Sequence, residues 1–170
     1  MLGLARSAIL STLGGGAAPA PSPIGRLHEP GAAFVTLHRG GTLRGCIGNL
    51  AFERPLHEMV SEAAVAAAFD DPRFPPIEED EYRSGVEVEV SVLSPLVASP
   101  RELIVAGWHG VCLSARGAKS VFLPQVAREE RWSRRTLLEQ LALKAGLEPA
   151  AWRDPDACFE TFTSEIVSER

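Results

Sequence analysis

Ala32-Ala33-Phe34-Val35-Thr36-Leu37-His38-Arg39-Gly40-Gly41-Thr42-Leu43-Arg44-Gly45-Cys46-Ile47-Gly48-Asn49 is the stretch on which the fold turns. Its first half is β-branched and aromatic, the composition of a strand. Gly-Gly between two strand-like runs is a hairpin signal, because both central positions of a type I′ turn need φ > 0. The stretch therefore reads as a β-hairpin. Successive side chains on a strand point to opposite faces. That alternation groups Leu43, Gly45 and Ile47 on one face, and Arg44, Cys46 and Gly48 on the other. A guanidinium two residues from a thiol lowers the cost of the reactive thiolate. Gly45 and Gly48 remove bulk, so that a ligand or another backbone can come close. The plain alternative is a core strand whose cysteine acts as a small hydrophobe and whose arginine pairs with a carboxylate.

The rest of the chain supplies elements to pack on this hairpin. Leu2, Ala5, Ala8, Ile9 and Leu13 fall near helical spacing, and Arg6 sits inside the apolar run rather than ahead of it, so 1–13 reads as a docked helix and not a signal peptide. The Gly/Ala/Pro-rich segment 14–23 reads as a flexible loop. A helix is expected from Pro55 to Phe69, with Leu56, Met59, Val60, Ala63 and Ala67 as its core stripe and His57 on the solvated side. Asp70-Asp71-Pro72-Arg73-Phe74-Pro75-Pro76 stops it in a rigid loop. Residues 77–82 read as an acidic exposed stretch. Val86, Val88, Val90 and Val92 alternate with Glu87, Glu89 and Ser91, a period of two. Further on, 111–115 and 120–123 read as a second hairpin ended by Pro124, with Gln125 on the loop beyond it. A helix is expected over 136–145, with Ser133 as N-cap and Gly146 past its end. Cys158 to Val167 reads as one closing strand. Strands and helices mix without regular βαβ alternation, which predicts an α+β fold: a mixed, mostly antiparallel sheet with flanking helices.

Composition narrows the function classes. The chain has 170 residues, enough for one substantial domain, and a formal net charge of -5 that disfavours a dedicated nucleic-acid binder. A local cluster of Arg131, Arg134 and Arg135 near Trp132 is the one place where single-strand binding finds a foothold. No apolar run reaches the length of about 20 residues needed to span a membrane. Three cysteines (46, 112 and 158) form no CxxC pair and leave one unpaired in any disulfide scheme, which favours a reducing, cytoplasmic setting. The four histidines are scattered, so no metal site is local in sequence. No phosphate-loop, dinucleotide, zinc-protease or serine-elbow signature occurs.

Leu43-Arg44-Gly45-Cys46-Ile47-Gly48 (LRGCIG), Ala67-Ala68-Phe69-Asp70-Asp71-Pro72-Arg73-Phe74 and Glu87-Val88-Glu89-Val90-Ser91-Val92-Leu93-Ser94-Pro95 together resemble the AMMECR family. So do Phe122-Leu123-Pro124-Gln125-Val126-Ala127, Lys144-Ala145-Gly146-Leu147 and Ala151-Trp152, in the family's order. The resemblance implies a single domain over 1–170 with a larger and a smaller subdomain, the Arg44/Cys46 stretch lying in the larger. Members from bacteria and archaea resemble protein A of the AmmeMemoRadiSam set, which implies a Memo-like protein and a radical-SAM protein as partners. It leaves the reaction and any cofactor open. Asn49 stands where many members have threonine, and Ala142 where a cysteine is common, so position 142 reads as packing.

Two function classes follow. In one, Cys46 is a nucleophile or thiol carrier, Arg44 stabilises an anion or the thiolate, and Glu87 or Asp70 serves as acid or base. In the other, Arg44, Gly45, Gly48, Asp70, Arg73 and Gln125 form a recognition cleft for a partner protein or a small anionic ligand.

Overall fold

The computed structural model describes residues 1–14 and 25–169, so the segment read as a flexible loop lies outside the described residues apart from Gly14. In chain order the elements are α1 (Leu2–Thr12), β1 (Ala32–Arg39), β2 (Thr42–Gly48), α2 (Leu56–Phe69), α3 (Glu79–Arg83), β3 (Val86–Leu93), β4 (Val97–Ala98), β5 (Gly110–Ala115), β6 (Ala118–Phe122), α4 (Pro124–Glu129), α5 (Arg134–Lys144), β7 (Cys158–Phe162) and β8 (Ser164–Ser168). This is the expected α+β class. Two compact units divide it: Met1–Leu93 with Glu165–Arg170, and Ser94–Ser164.

In the first unit the sheet order is β2-β1-β3-β8. Gly40 and Gly41 both have positive φ, as the hairpin turn between β1 and β2 demands. Val35 and Leu37 of β1 and the four alternating valines of β3 are buried under the α2 stripe of Leu56, Val60, Ala63 and Ala67 and under Leu4, Ala5 and Ile9 of α1. Each such side chain contributes roughly 1.5–3 kcal/mol by leaving water. Small alanines on α2 let the helix lie close to the sheet. His57 departs from the solvated role expected of it, because its Nδ1 lies 2.8 Å from the Leu27 carbonyl oxygen. Where β8 ends, Glu169 and Arg6 tie down β3: the Val88 N–H donates to Glu169 Oε2 at 2.8 Å, and Arg6 Nη2 donates to the Val86 carbonyl at 2.9 Å.

The second unit holds a sheet of order β4-β7-β5-β6, with Val111, Leu113 and Phe159 facing Leu137, Leu138 and Leu141 of α5. Ala142 is fully buried there, a packing position as read from the sequence. Ser133 caps α5 by accepting from the Thr136 N–H. Beyond the helix, Gly146 takes φ 75°, and the Gly146 and Leu147 N–H groups close on the Leu143 and Ala142 carbonyls. Ser133→Ala is expected to cost about 1 kcal/mol in a denaturant titration, the usual value of such a cap.

Two expectations need correction. The single closing strand is two strands: β7 belongs to the second sheet and β8 to the first, broken at Thr163, whose N–H donates to Ser94 Oγ and whose carbonyl accepts from the Ser94 N–H. Pro124 does not merely end β6 but opens α4 at the position where a missing N–H costs nothing, and so places Gln125 on a helix rather than a loop.

Candidate functional site

A β-bulge sets the geometry of the Leu43–Asn49 stretch. Leu37 pairs with Gly45 and His38 with Leu43, which leaves Arg44 as the extra residue. Bulges re-aim side chains. Arg44 accordingly leaves the row it would share with Cys46 and turns to the segment after α2. Its Nε donates to Glu81 Oε1 at 2.7 Å, and its Nη2 donates to Glu81 Oε2 at 3.0 Å and to the Pro75 carbonyl at 2.9 Å. Phe74 lies under the guanidinium at 5.8 Å. Only 12% of the Arg44 side chain and 18% of that of Glu81 are exposed, so the forked pair is shielded from solvent. Bonding to Arg44 holds the Glu81 carboxyl below its ordinary value. The acidic stretch read as a solvated face is thus a short helix, α3, that supplies the arginine's partner, and Tyr82 beside it is buried.

Glu87 is not that partner. β1 lies between β2 and β3, and Glu87 stands opposite His38. Cys46 pairs with Thr36, and Thr36 with Glu89, so the carboxylate in the cysteine's own row is Glu89, two strands and about 10 Å away. At the cysteine itself, the Thr36 hydroxyl donates to Sγ at 3.4 Å.

The backbone of Cys46 is held from the open side of β2. Its N–H donates to Asp71 Oδ2 at 2.9 Å, and its carbonyl accepts from Arg73 Nη2 at 3.3 Å. Asp71 also accepts from the Arg73 N–H, from Nε at 2.9 Å and from Nη2 at 2.7 Å. Together the two side chains do for Cys46 what a further strand would do, and so block the exposed edge. The Asp71 side chain is 2% exposed and that of Arg73 53%. Bonding to Arg73, helped by the Cys46 N–H, keeps the Asp71 carboxyl well below the usual carboxylate range. Conversely, Asp71 raises Arg73, and the nearby Cys46 acts in the same direction.

The glycines are explained by backbone. A Cβ on Gly45 would lie 2.1 Å from the Ala67 carbonyl oxygen of α2, and one on Gly48 would lie 2.3 Å from the Ala33 oxygen. Of the two visitors allowed for in the sequence, ligand or backbone, these positions admit backbone. Asp70 is exposed just past the end of α2, while Gln125 belongs to the second unit. Arg44, Gly45, Cys46, Asp71 and Arg73 therefore converge, with Gly48 next along the strand, and Glu87 stands apart from Cys46 within the sheet. Sequence reasoning passed over Asp71 and Glu81. Asp71 carries a signal in hindsight, since an aspartate before proline in a helix-stopping loop readily accepts backbone N–H groups.

In the second unit, the half-buried Trp132 packs edge-on against Phe122 at 5.2 Å, against the core of that unit. All three cysteines are free thiols, no described helix is long and apolar enough to cross a membrane, and no His/Cys/Asp/Glu cluster suited to a metal ion occurs among the described residues.

Comparison with known proteins agrees with this architecture. A protein of Methanopyrus kandleri is 40% identical over 177 residues, covering 98% of this chain and 85% of the relative. One from Thermococcus kodakarensis is 42% identical over 154 residues, covering 84% and 75%. The crystal structure of an uncharacterized protein from Pyrococcus horikoshii superposes with a TM-score of 0.91 at 36% identity, covering 99% of this chain and 89% of that one. The AMMECR1 family model matches residues 2–167, through both compact units, and the chain belongs to the AMMECR1 family.

Proposed function

We propose that this AMMECR1-family protein is a binding component of a Memo-like and radical-SAM protein system, working by recognition at the Leu43–Asn49 strand and the loop clamped to it. One observation carries the reading. The charged groups that would activate a thiol, Arg44 and the arginine nearest Cys46, are engaged in fastening the 70–76 loop and α3 to β2. Such pairs make a surface of defined shape, with Leu43, Asp70 and Arg73 exposed on it. A partner that binds there needs no rearrangement of the loop, which keeps the entropic cost of association low. Three free thiols are in keeping with the reducing cytoplasm in which radical-SAM chemistry operates.

Mixing the protein with the Memo-like and radical-SAM proteins of its own organism is expected to give a complex on size exclusion, weakened at least about tenfold by the charge reversal Asp70→Arg. Failure of any mixture to associate overturns the reading.

A second reading has its own support. Cys46 lies beside the Arg73 guanidinium, whose Nη2 donates to the Cys46 carbonyl at 3.3 Å. That is the surrounding a nucleophilic or carrier thiol needs. Alkylation rates against pH in the Cys112→Ser, Cys158→Ser protein test it: a rapid plateau below pH of about 7 supports thiol chemistry, and inertness until unfolding ends it.

A further inference from the structure

A cavity of about 380 Å³ lies wholly within the second unit, walled by Arg101, Arg134, Arg135, Arg153 and Trp152, with Glu102 its single carboxylate. The arginines come from three separate segments: the turn after β4, the start of α5, and the turn before β7. Four guanidinium groups against one carboxylate is a local excess of positive charge in a chain whose formal net charge is -5. We infer that this cavity binds a small polyanion, an organic diphosphate or a comparable phosphate ester, through the guanidinium groups of Arg134, Arg135 and Arg153.

Compensation of the arginines is partial: Arg101 pairs with Glu102 and Arg135 with Glu139, and Arg134 also acts on the Glu102 carboxylate through its charge. Arg134 and Arg135 occupy the first turn of α5, which carries no acidic side chain, and so they add positive charge to the positive end of a helix. Cations there weaken the helix unless an anion joins them. Arg134 Nη1 donates to the backbone carbonyl of Glu102, while the Glu102 carboxylate accepts from Arg101. Arg135 Nε donates to Glu139 Oε1 one turn along at 2.8 Å, and the residue also lines the cavity. Arg153 has no carboxylate or carbonyl partner for its guanidinium among the described residues; it lies over the Trp152 ring at 4.9 Å. The Trp152 Nε1 donor is itself buried and meets no acceptor among the described residues.

Solvated arginines on a helix end are the plain alternative, and convergence argues against it. Independent surface arginines repel one another and spread, whereas these share one concave space of ordinary ligand size. Guanidinium forks match phosphate oxygens two at a time. The same features disfavour single-stranded nucleic acid, which needs open aromatic faces for its bases. Arg101 and Arg153 both lie over the Trp152 ring, and the half-buried Trp132 packs edge-on against Phe122. This inference does not depend on the reading of Cys46 or of the 70–76 loop.

Calorimetric titration of the full chain with inorganic pyrophosphate and with ADP, at low ionic strength, tests the site. One-site saturable binding is expected, weakened about tenfold by Arg153→Gln and likewise by Arg134→Gln. Arg128→Gln, on α4 and outside the cavity wall, should leave it unchanged. The Trp152 indole N–H resonance, assigned with Trp152→Phe, should move on saturation, with those of Trp108 and Trp132 staying in place. Absence of saturable binding overturns the inference, as does equal weakening by all three arginine variants. A short single-stranded RNA that binds where pyrophosphate does not, and loses affinity in Arg134→Gln and Arg153→Gln, overturns it in favour of nucleic acid.

Discussion

Gly45→Ala is expected to destabilise the first unit by about 3 kcal/mol or more. A Cβ at this position would lie 2.1 Å from the Ala67 carbonyl oxygen and 3.1 Å from its carbon. No rotamer relieves that contact, because both atoms are fixed by backbone. Either β2 or α2 must move, and α2 supplies much of the core that covers the sheet. Total stability of a domain is about 5–15 kcal/mol, so the loss is a large share of it. For a chain of this size it corresponds to roughly 6–12 °C in Tm, read by circular dichroism. Gly3→Ala is the matched control. Gly3 lies in the first turn of α1 with nothing within 4 Å of its added Cβ, and the change should leave stability unchanged or raise it by less than the ~1 kcal/mol of a helix interior. Equal melting of Gly45→Ala and wild type would contradict the packing described here.

Asp71→Ala should cost about 2–4 kcal/mol. The carboxylate is buried and takes the Cys46 N–H, the Arg73 N–H and two guanidinium bonds. Truncation strands a strand-edge donor and frees the loop from β2. The same group makes stability depend on pH. Its folded-state value lies well below that of a free aspartate, chiefly through Arg73, so the folded protein favours the charged form. The contribution is complete above the unfolded-state pKa of about 3.9 and is lost as pH falls through the folded value. Glu81, lowered by Arg44, acts in the same direction over a neighbouring range. Denaturant midpoints of the wild type should therefore decline on going from about pH 5 to pH 3 more steeply than those of Asp71→Asn. Parallel curves for the two proteins would show that Asp71 is not the clamp.

Local signals carried most of the fold. The Gly40-Gly41 turn, the apolar stripe of α2, the Ser133 cap and the Gly146 terminus each depend on a few adjacent residues, and each stands where the sequence puts it. Long-range choices were hidden. Arg44 needs a carboxylate, but Glu81 and Glu87 are equivalent until the strand order inserts β1 between β2 and β3 and a bulge turns the arginine outward. Alternation runs unbroken through residues 158–167, so nothing local reveals that the chain changes sheets at Thr163. A proline after a strand signals an end and a helix start equally well, so nothing local distinguishes a loop from α4 at Gln125. The basic cluster was half visible: Arg134 and Arg135 were legible, but their neighbour is Trp152 rather than Trp132, a choice made by the packing of α5 on the second sheet.

The recognition reading is tested most directly by comparing Cys46→Ser with Asp70→Arg in the same partner-binding assay. Cys46→Ser removes the thiol and retains a small side chain beside Thr36, while Asp70→Arg alters the exposed loop and leaves the Asp71 clamp intact. Cys46→Ser is expected to bind the Memo-like and radical-SAM proteins within about twofold of wild type, while Asp70→Arg loses at least about tenfold. Loss of binding in a folded Cys46→Ser protein, with Asp70→Arg unaffected, would contradict the recognition reading.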